Sequence, residues 1–282
     1  MRAAHPPGEA FICRTCGAQY APSPVPPASC LVCDDERQYV GYDGQCWTTL
    51  AELAAEGHVN VVEPVEEELH SIKTRPDFAI GQRALLVQTP DGNVLWDCLS
   101  FIDQTTVARV AELGGIDRIA VSHPHFYSSM VEWSHAFGGA PIFLPAADRQ
   151  WVMRPDPAIT YWDDRFELLP GLTLIRCGGH FDGSAVLHWA AGAGGAGALL
   201  CGDTLMVAAD RRWVSFMRSY PNLIPLPPAT VREVAARLEP FRFERIHGLS
   251  RERSVHSDGS EVVKRSAERY IRWVSGDPTP AR

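Results

Sequence analysis

The sequence has no apolar run long enough to span a bilayer. Its first residues, MRAAHPPGEAFICR, lack the apolar core of a signal peptide. The longest weakly polar stretch, LHWAAGAGGAGALLCG, is mostly Gly and Ala and carries a histidine. These absences predict a soluble, cytoplasmic protein with no membrane partner. An excess of positive charge is also missing: 26 Lys and Arg against 34 Asp and Glu give a formal charge of −8. Such a surface does not attract phosphate backbones, so no nucleic acid is expected as a partner and polyanions are disfavoured as substrates. No internal sequence repeat stands out, although hairpin strands followed by strand–helix units recur in both halves. The length of 282 residues and the 45% hydrophobic content suit one medium domain with a large core and a small appendage. A homo-oligomer is left open.

What is present begins with eight cysteines in two groups. Cys13, Cys16, Cys30 and Cys33 form C-x2-C-x13-C-x2-C, whereas Cys46, Cys98, Cys177 and Cys201 are scattered. Without an export signal, disulfides are disfavoured. The scattered four read as small buried apolar residues. Residues 1–45 carry the two CxxC pairs and the connector APSPVPPAS, a segment too short to bury a core of its own. A structural Zn²⁺ held tetrahedrally by the four thiolates supplies the missing stability, so 1–45 is expected to be a zinc ribbon. Whether it docks a partner or staples the N-terminus is open, with the staple as the default.

Residues 46–282 read as a second part of alternating strands and helices. RALLVQT and NVLWDCL flank PDG, a hairpin signal. TTVARVAELGG has apolar residues at helical spacing and ends in two glycines. IDRIAVSH reads as a buried strand ending at His123, LTLIRCGGH as a strand running to His180, and FERIHG as a strand ending at His247. SAVLHWA and GALLCGD read as a strand pair. VEWSHAF and SEVVKRSAERYIRWV read as helices. TVREVAARLEP opens with Thr230 and Glu233 at capping-box spacing and stops at Pro240.

His123, His180, Asp203 and His247 thus share one feature: each ends an apolar strand and enters a loop, three of them beside glycine. One such histidine is more often structural than a ligand. Four strand-end groups, with His125 next to them, predict one cleft in which all five converge.

The motifs SHPHFYS, GGHFDGS, LLCGDTL and RIHG, in that order and spacing, resemble the successive metal motifs of the metallo-β-lactamase superfamily. Glyoxalase II-like hydrolases are the nearest broad group. LWDCLS around Asp97 resembles the family's early Asp motif, which braces the site. The resemblance covers about residues 80–250 and implies an α/β fold. That fold is an αββα sandwich of two mixed sheets, with the site at one edge. It implies metal ligands at His123, His125, His180, Asp203 and His247. The family's first motif is H-x-H-x-D-H, and here Tyr127 stands for the Asp and Ser128 for the last His. The first metal position, His123, His125 and His180, is therefore intact. The second keeps Asp203 and His247 alone, so one tight ion and a weak or absent second one are expected.

Under this resemblance the function is metal-dependent hydrolysis of a small ester, thioester or amide by a metal-bound hydroxide, with Zn²⁺ or Fe²⁺ in the cleft. Asp203 would orient the hydroxide or ligate the ion. Tyr127 either donates a hydrogen bond to an oxyanion or leaving group, or fills the space of the lost ligands. Ser128 reads as a helix cap, and Asp182 and Ser184 as loop hydrogen-bonders. Trp151 and Tyr220 are candidates for lining a substrate pocket, and Arg218 for anchoring a carboxylate. His135 and His188 are read as structural or surface residues. Two alternatives remain: a mononuclear non-haem iron dioxygenase built on two His and Asp203, and a non-catalytic metal-binding protein.

Overall fold

The computed structural model describes residues 8–277. The chain divides into two compact units. One runs through Leu144 and takes in Arg149–Tyr161; the other holds Pro145–Asp148 and the chain from Trp162 onward. No helix among the described residues is long and apolar enough to cross a membrane.

The first unit is built on a seven-stranded sheet whose strands follow chain order, from Val59–Glu66 through Ile159–Trp162. The expected hairpin is there. Arg83–Val87 pairs antiparallel with Val94–Trp96, and Gly92 takes φ +127° in the connecting turn. Val94–Trp96 then pairs parallel with Arg118–Ala120, and that strand parallel with Ile142–Pro145. A parallel step needs a crossover. Gln104–Glu112 supplies it as a helix, capped by Asp103, whose carboxylate accepts from the Thr106 amide at 2.7 Å. The expected strand up to His123 is shorter: it ends at Ala120, and Pro124–Phe126 forms a tight 3-10 turn. Pro124 has no N–H for a ladder, and its fixed φ starts that turn.

In the same unit, Ile12–Cys13 pairs antiparallel with Trp47–Thr48. Tyr20 of the ribbon and Trp47, Trp151 and Met153 from beyond it pack against the four-cysteine cluster, so much of its apolar backing comes from outside residues 1–45. Cys98, Cys177 and Cys201 are buried as expected, and burial pushes the Cys177 thiol up to about 12. Cys46 is exposed, contrary to expectation. It lies just outside the two-residue strand, and its carbonyl accepts from the Arg14 amide at 3.0 Å and from Gln45 Nε2 at 3.1 Å.

The second unit carries a six-stranded sheet in the order Arg165–Leu169, Leu172–Arg176, Ala185–Trp189, Ala198–Leu200, Arg245–His247, Ser254–Val255. Its parallel step, Ala198–Leu200 with Arg245–His247, repeats the device of the first unit. Leu199 and Ile246 of these strands share a core with Val231 and Val234 of helix Pro228–Leu238 and with Val262 and Val263 of helix Gly259–Val274. These two mixed sheets with their helices are the α/β class that the sequence points to.

The expected capping box at Thr230 and Glu233 is not formed. The helix starts at Pro228, with Pro227 at the cap and no side-chain cap bond. Proline in the first turn carries a pre-set φ and lacks an N–H that has no helical partner there, so the helix begins ahead of the threonine. Thr230→Ala is therefore expected to change unfolding free energy by less than about 0.5 kcal/mol. Asp103→Ala, which removes a formed cap, is expected to cost about 1 kcal/mol. Urea denaturation of the two variants checks both; an equal cost would refute the assignment of the helix start.

Candidate metal centres

The N-terminal centre is built from two knuckles. The Gly17 amide donates to the Cys13 carbonyl at 2.8 Å, and the Cys13 amide to the Ala18 carbonyl at 3.0 Å. Gly17 sits at φ +82°, where a side chain is disfavoured. In the second knuckle, the Cys33 and Asp34 amides both donate to the Cys30 carbonyl at 2.9 Å. Turned inward this way, the four Sγ atoms lie within 4.8 Å of one another, all buried. The Cys13–Cys33 and Cys16–Cys30 sulfurs are each 3.6 Å apart, and all four cysteines are free. A disulfide requires about 2.05 Å. Zn–S bonds of about 2.3 Å in a tetrahedron place sulfurs about 3.8 Å apart. The spacing fits a tetrahedral thiolate site. Hydrogen bonding from Cys16 holds the Cys13 thiol well below its ordinary value.

The histidine pair follows the strand Arg118–Ala120. Asp97, at φ +62°, stands beside it: its amide donates to the Ala120 carbonyl at 2.9 Å, and its carboxylate accepts from the Ser122 amide at 2.8 Å. This is the bracing role that the resemblance implies for Asp97. The Ser122 hydroxyl engages His123 Nδ1 at 2.8 Å, which makes Nε2 the ligating nitrogen. The His123 ring packs on Phe126 at 4.3 Å and stands edge-on to His125 at 5.3 Å.

His180 lies beyond two glycines, Gly178 and Gly179, at φ +70° and +88°. A Cβ on Gly179 would come within 2.9 Å of Leu226. Ser184 closes this loop. Its carbonyl accepts from Cys177 and Gly178 at 2.8 and 2.9 Å, and its hydroxyl accepts from the Phe181 amide at 2.7 Å. Asp182, by contrast, is exposed. The Gly183 amide donates to the buried Asp148 carboxylate at 2.9 Å. His180 Nδ1 donates to the Met217 carbonyl at 3.2 Å, which again fixes Nε2 as the ligating atom, 4.0 Å from an Asp203 oxygen. Asp203 occupies the turn after Ala198–Leu200. The Tyr220 hydroxyl donates to its backbone carbonyl at 3.0 Å, and the Tyr220 ring stands 5.6 Å from His180. Burial, then the Asp203 charge, pushes the Tyr220 phenol well up, so it stays a donor.

The donor atoms of His123, His125, His180 and Asp203 lie within 4.8 Å of one another, and all four residues are buried. The donor set, three imidazoles and a carboxylate, fits a divalent ion. His247, the fifth expected ligand, stands outside this group. It is buried in Arg245–His247, where its carbonyl accepts from the Cys201 amide at 3.1 Å. Ser128 is not a cap: the helix Met130–Ala136 begins after Ser129, and the Ser128 hydroxyl accepts from Gln82 Nε2 at 3.0 Å. Trp151 is placed against the ribbon, under Arg37 at 5.4 Å. Arg218 lines an open groove of about 480 Å³ with Arg176, Asp182 and Arg237. His135 reaches Asp156 at 3.0 Å, and His188 the Arg242 carbonyl at 3.0 Å. Sequence reasoning missed Ser122 and Asp148, and it read Met217 as a pocket-lining side chain rather than as the carbonyl that holds His180. Ser122 adjoins His123 and was open to notice; the Met217 contact is a backbone carbonyl and leaves no sequence signal.

Tyr220→Phe removes one hydroxyl that holds the Asp203 turn. It is expected to weaken metal binding at the histidine site about tenfold while leaving the thiolate ion in place. Competition with a chromophoric chelator measures this; unchanged affinity would show that the hydroxyl does not position Asp203.

No family model matches the chain. The uncharacterized protein YmaE of Bacillus subtilis (strain 168) is 51% identical over 269 residues, which are 95% of this chain and 97% of that protein. A Cronobacter sakazakii (Enterobacter sakazakii) metallo-β-lactamase with a HARLDQ motif shares 15% identity at a TM-score of 0.50, over 83% of this chain and 96% of that one. MEM-A1, a subclass B3 metallo-β-lactamase isolated from a soil metagenome library, shares 14% at a TM-score of 0.50, over 77% of this chain and 97% of its own. At such identities the likeness is one of fold. With 51% identity along nearly its whole length, the chain belongs to the family of the Bacillus subtilis protein YmaE, and its fold is that of the metallo-β-lactamases.

Proposed function

We propose that the chain is a metal-dependent hydrolase of a small ester, thioester or amide, with one Zn²⁺ held by His123, His125 and His180 and Asp203 beside it. The observation that supports this reading is the buried group of four donors within 4.8 Å. Three neutral imidazoles favour a hydrolytic zinc site; an Fe(II) site built on two His and a carboxylate leaves the third imidazole without a role. Tyr127 and Ser128, which stand where a second ion's Asp and His would be, favour one ion rather than two. The thiolate centre is assigned Zn²⁺ as a structural ion.

When bound, the ion supplies Lewis acidity and brings the pKa of a coordinated water to about 7. The chain's own contribution is orientation. Ser122 and the Met217 carbonyl hold His123 and His180 through their Nδ1 atoms, at 2.8 and 3.2 Å. The Asp203 carboxylate, 4.0 Å from His180 Nε2, would accept a proton from the attacking water. Tyr127 encloses a cavity of only about 10 Å³ with Ala18, Gln19, Trp151 and Met153, which favours the space-filling half of its reading over proton donation.

Protein purified without added metal is expected to hold about two ions per chain, one bound by thiolates. His180→Ala should release the other ion and lower thioester hydrolysis about 100-fold, with the thiolate ion retained. Elemental analysis beside hydrolysis and oxygen-consumption assays decides. Iron at the histidine site with substrate-dependent oxygen uptake would overturn the hydrolase reading in favour of the dioxygenase.

A further inference from the structure

We infer that the four-cysteine ribbon positions the histidine pair: an ion held by Cys13, Cys16, Cys30 and Cys33 sets the metal affinity of the three-histidine site. The ribbon does so by gripping the chain at Tyr127 and Ser128, the two positions where the metal motif is broken. This rests on the reading that His123 and His125 hold an ion.

The first knuckle turns the chain back on itself, so that Gly17–Gln19 leaves the cysteine cluster as a short arm. The Ser100 hydroxyl donates to the Gly17 carbonyl at 2.9 Å, and the Gln19 amide donates to the Ser128 carbonyl at 3.2 Å. The approach is tight, since a Cβ on Gly17 would lie 2.4 Å from the Ser100 oxygen. Ser128 itself sits at φ +45°, a conformation that a non-glycine residue avoids and that persists only when its surroundings hold it. Two bonds hold it here: the arm at its carbonyl and Gln82 at its hydroxyl. Gln82 also donates to the carbonyl of Cys98, the neighbour of Asp97, which holds Ser122 and so His123. A side-chain buckle closes the contact. The buried Arg154 guanidinium bridges Gln19 and Glu132 at 2.5 Å each. The arm, Tyr127, Ser128 and the helix beyond them enclose only about 10 Å³, no more than one water.

His125 therefore lies two residues from a segment whose strained geometry is fixed from the ribbon. An empty ribbon has no tetrahedral centre to hold its knuckles, and the arm loses its anchor. Residues 127–128 then lose one of their holds, and the histidine pair loses preorganisation. The coupling is reciprocal, so the histidine ion also tightens the ribbon.

Co²⁺ titration tests this, because thiolate-to-cobalt charge-transfer absorption reports the ribbon ion, and the d–d bands of an imidazole-bound ion report the other. Cys30→Ser with Cys33→Ser should lose the thiolate signal and weaken the histidine site about 10- to 100-fold. Should that variant not fold, Ser100→Ala and Arg154→Met decide, since they keep every cysteine. Each should retain the thiolate ion and weaken the histidine ion about tenfold. Histidine-site affinity within about twofold of wild type in the folded variants would overturn the proposal. Wild-type protein that binds only the thiolate ion would instead refute the three-histidine reading, before any variant is made.

Discussion

Removing three imidazoles and a carboxylate from water, with donor atoms within 4.8 Å of one another, is the constraint that the rest of the structure answers. Buried polar groups are costly unless each is held by a partner. Both units meet this cost in the same way. A short strand ends, the backbone enters a conformation that ordinary residues avoid, and an oxygen engages a histidine Nδ1. Asp97 and Ser122 do this for His123; Gly178, Gly179 and the Met217 carbonyl do it for His180. Each Nε2 is thereby left as the ligating nitrogen.

The sheets explain why strand ends are the places used. In each unit an antiparallel run gives way to a parallel step, and a helix must carry the chain back. That return leaves the carboxyl ends of the parallel strands open to loops, where side chains are not committed to the ladder. His123 follows one such strand and Asp203 another. The paired strand Arg245–His247 brings His247 alongside Leu200, within the second unit's sheet and outside the four-donor group.

Much of this was legible in the sequence because ligand chemistry is local. Two C-x2-C pairs thirteen residues apart mark a four-thiolate site, and histidines beside glycines at the ends of apolar runs stand out without any knowledge of tertiary contacts. What was not legible depends on the backbone or on distance. The His180 partner is a carbonyl 37 residues away, which any residue would supply. The helix at Pro228 starts where proline's fixed φ allows rather than where Thr230 and Glu233 suggest a cap. Ser128 looks like a cap by type, yet its left-handed backbone puts it before the helix and turns its hydroxyl to Gln82.

Tyr127 and Ser128 show why a broken motif need not mean a decayed site. An Asp and a His at these positions would have to present their side chains to a second ion. In this chain the same two positions line a closed contact with Ala18 and Gln19, and the Ser128 carbonyl accepts from the arm at 3.2 Å. A bulky, buried tyrosine and a small serine suit that contact: one fills volume beside Trp151 and Met153, and the other tolerates φ +45° with its hydroxyl engaged. The residues absent from the second metal position are thus accounted for by packing against a segment that the ribbon metal would order. The chain keeps two groups that could hold an ion, one of thiolates and one rich in imidazoles, and the positions where the motif departs pack against the arm that leaves the first.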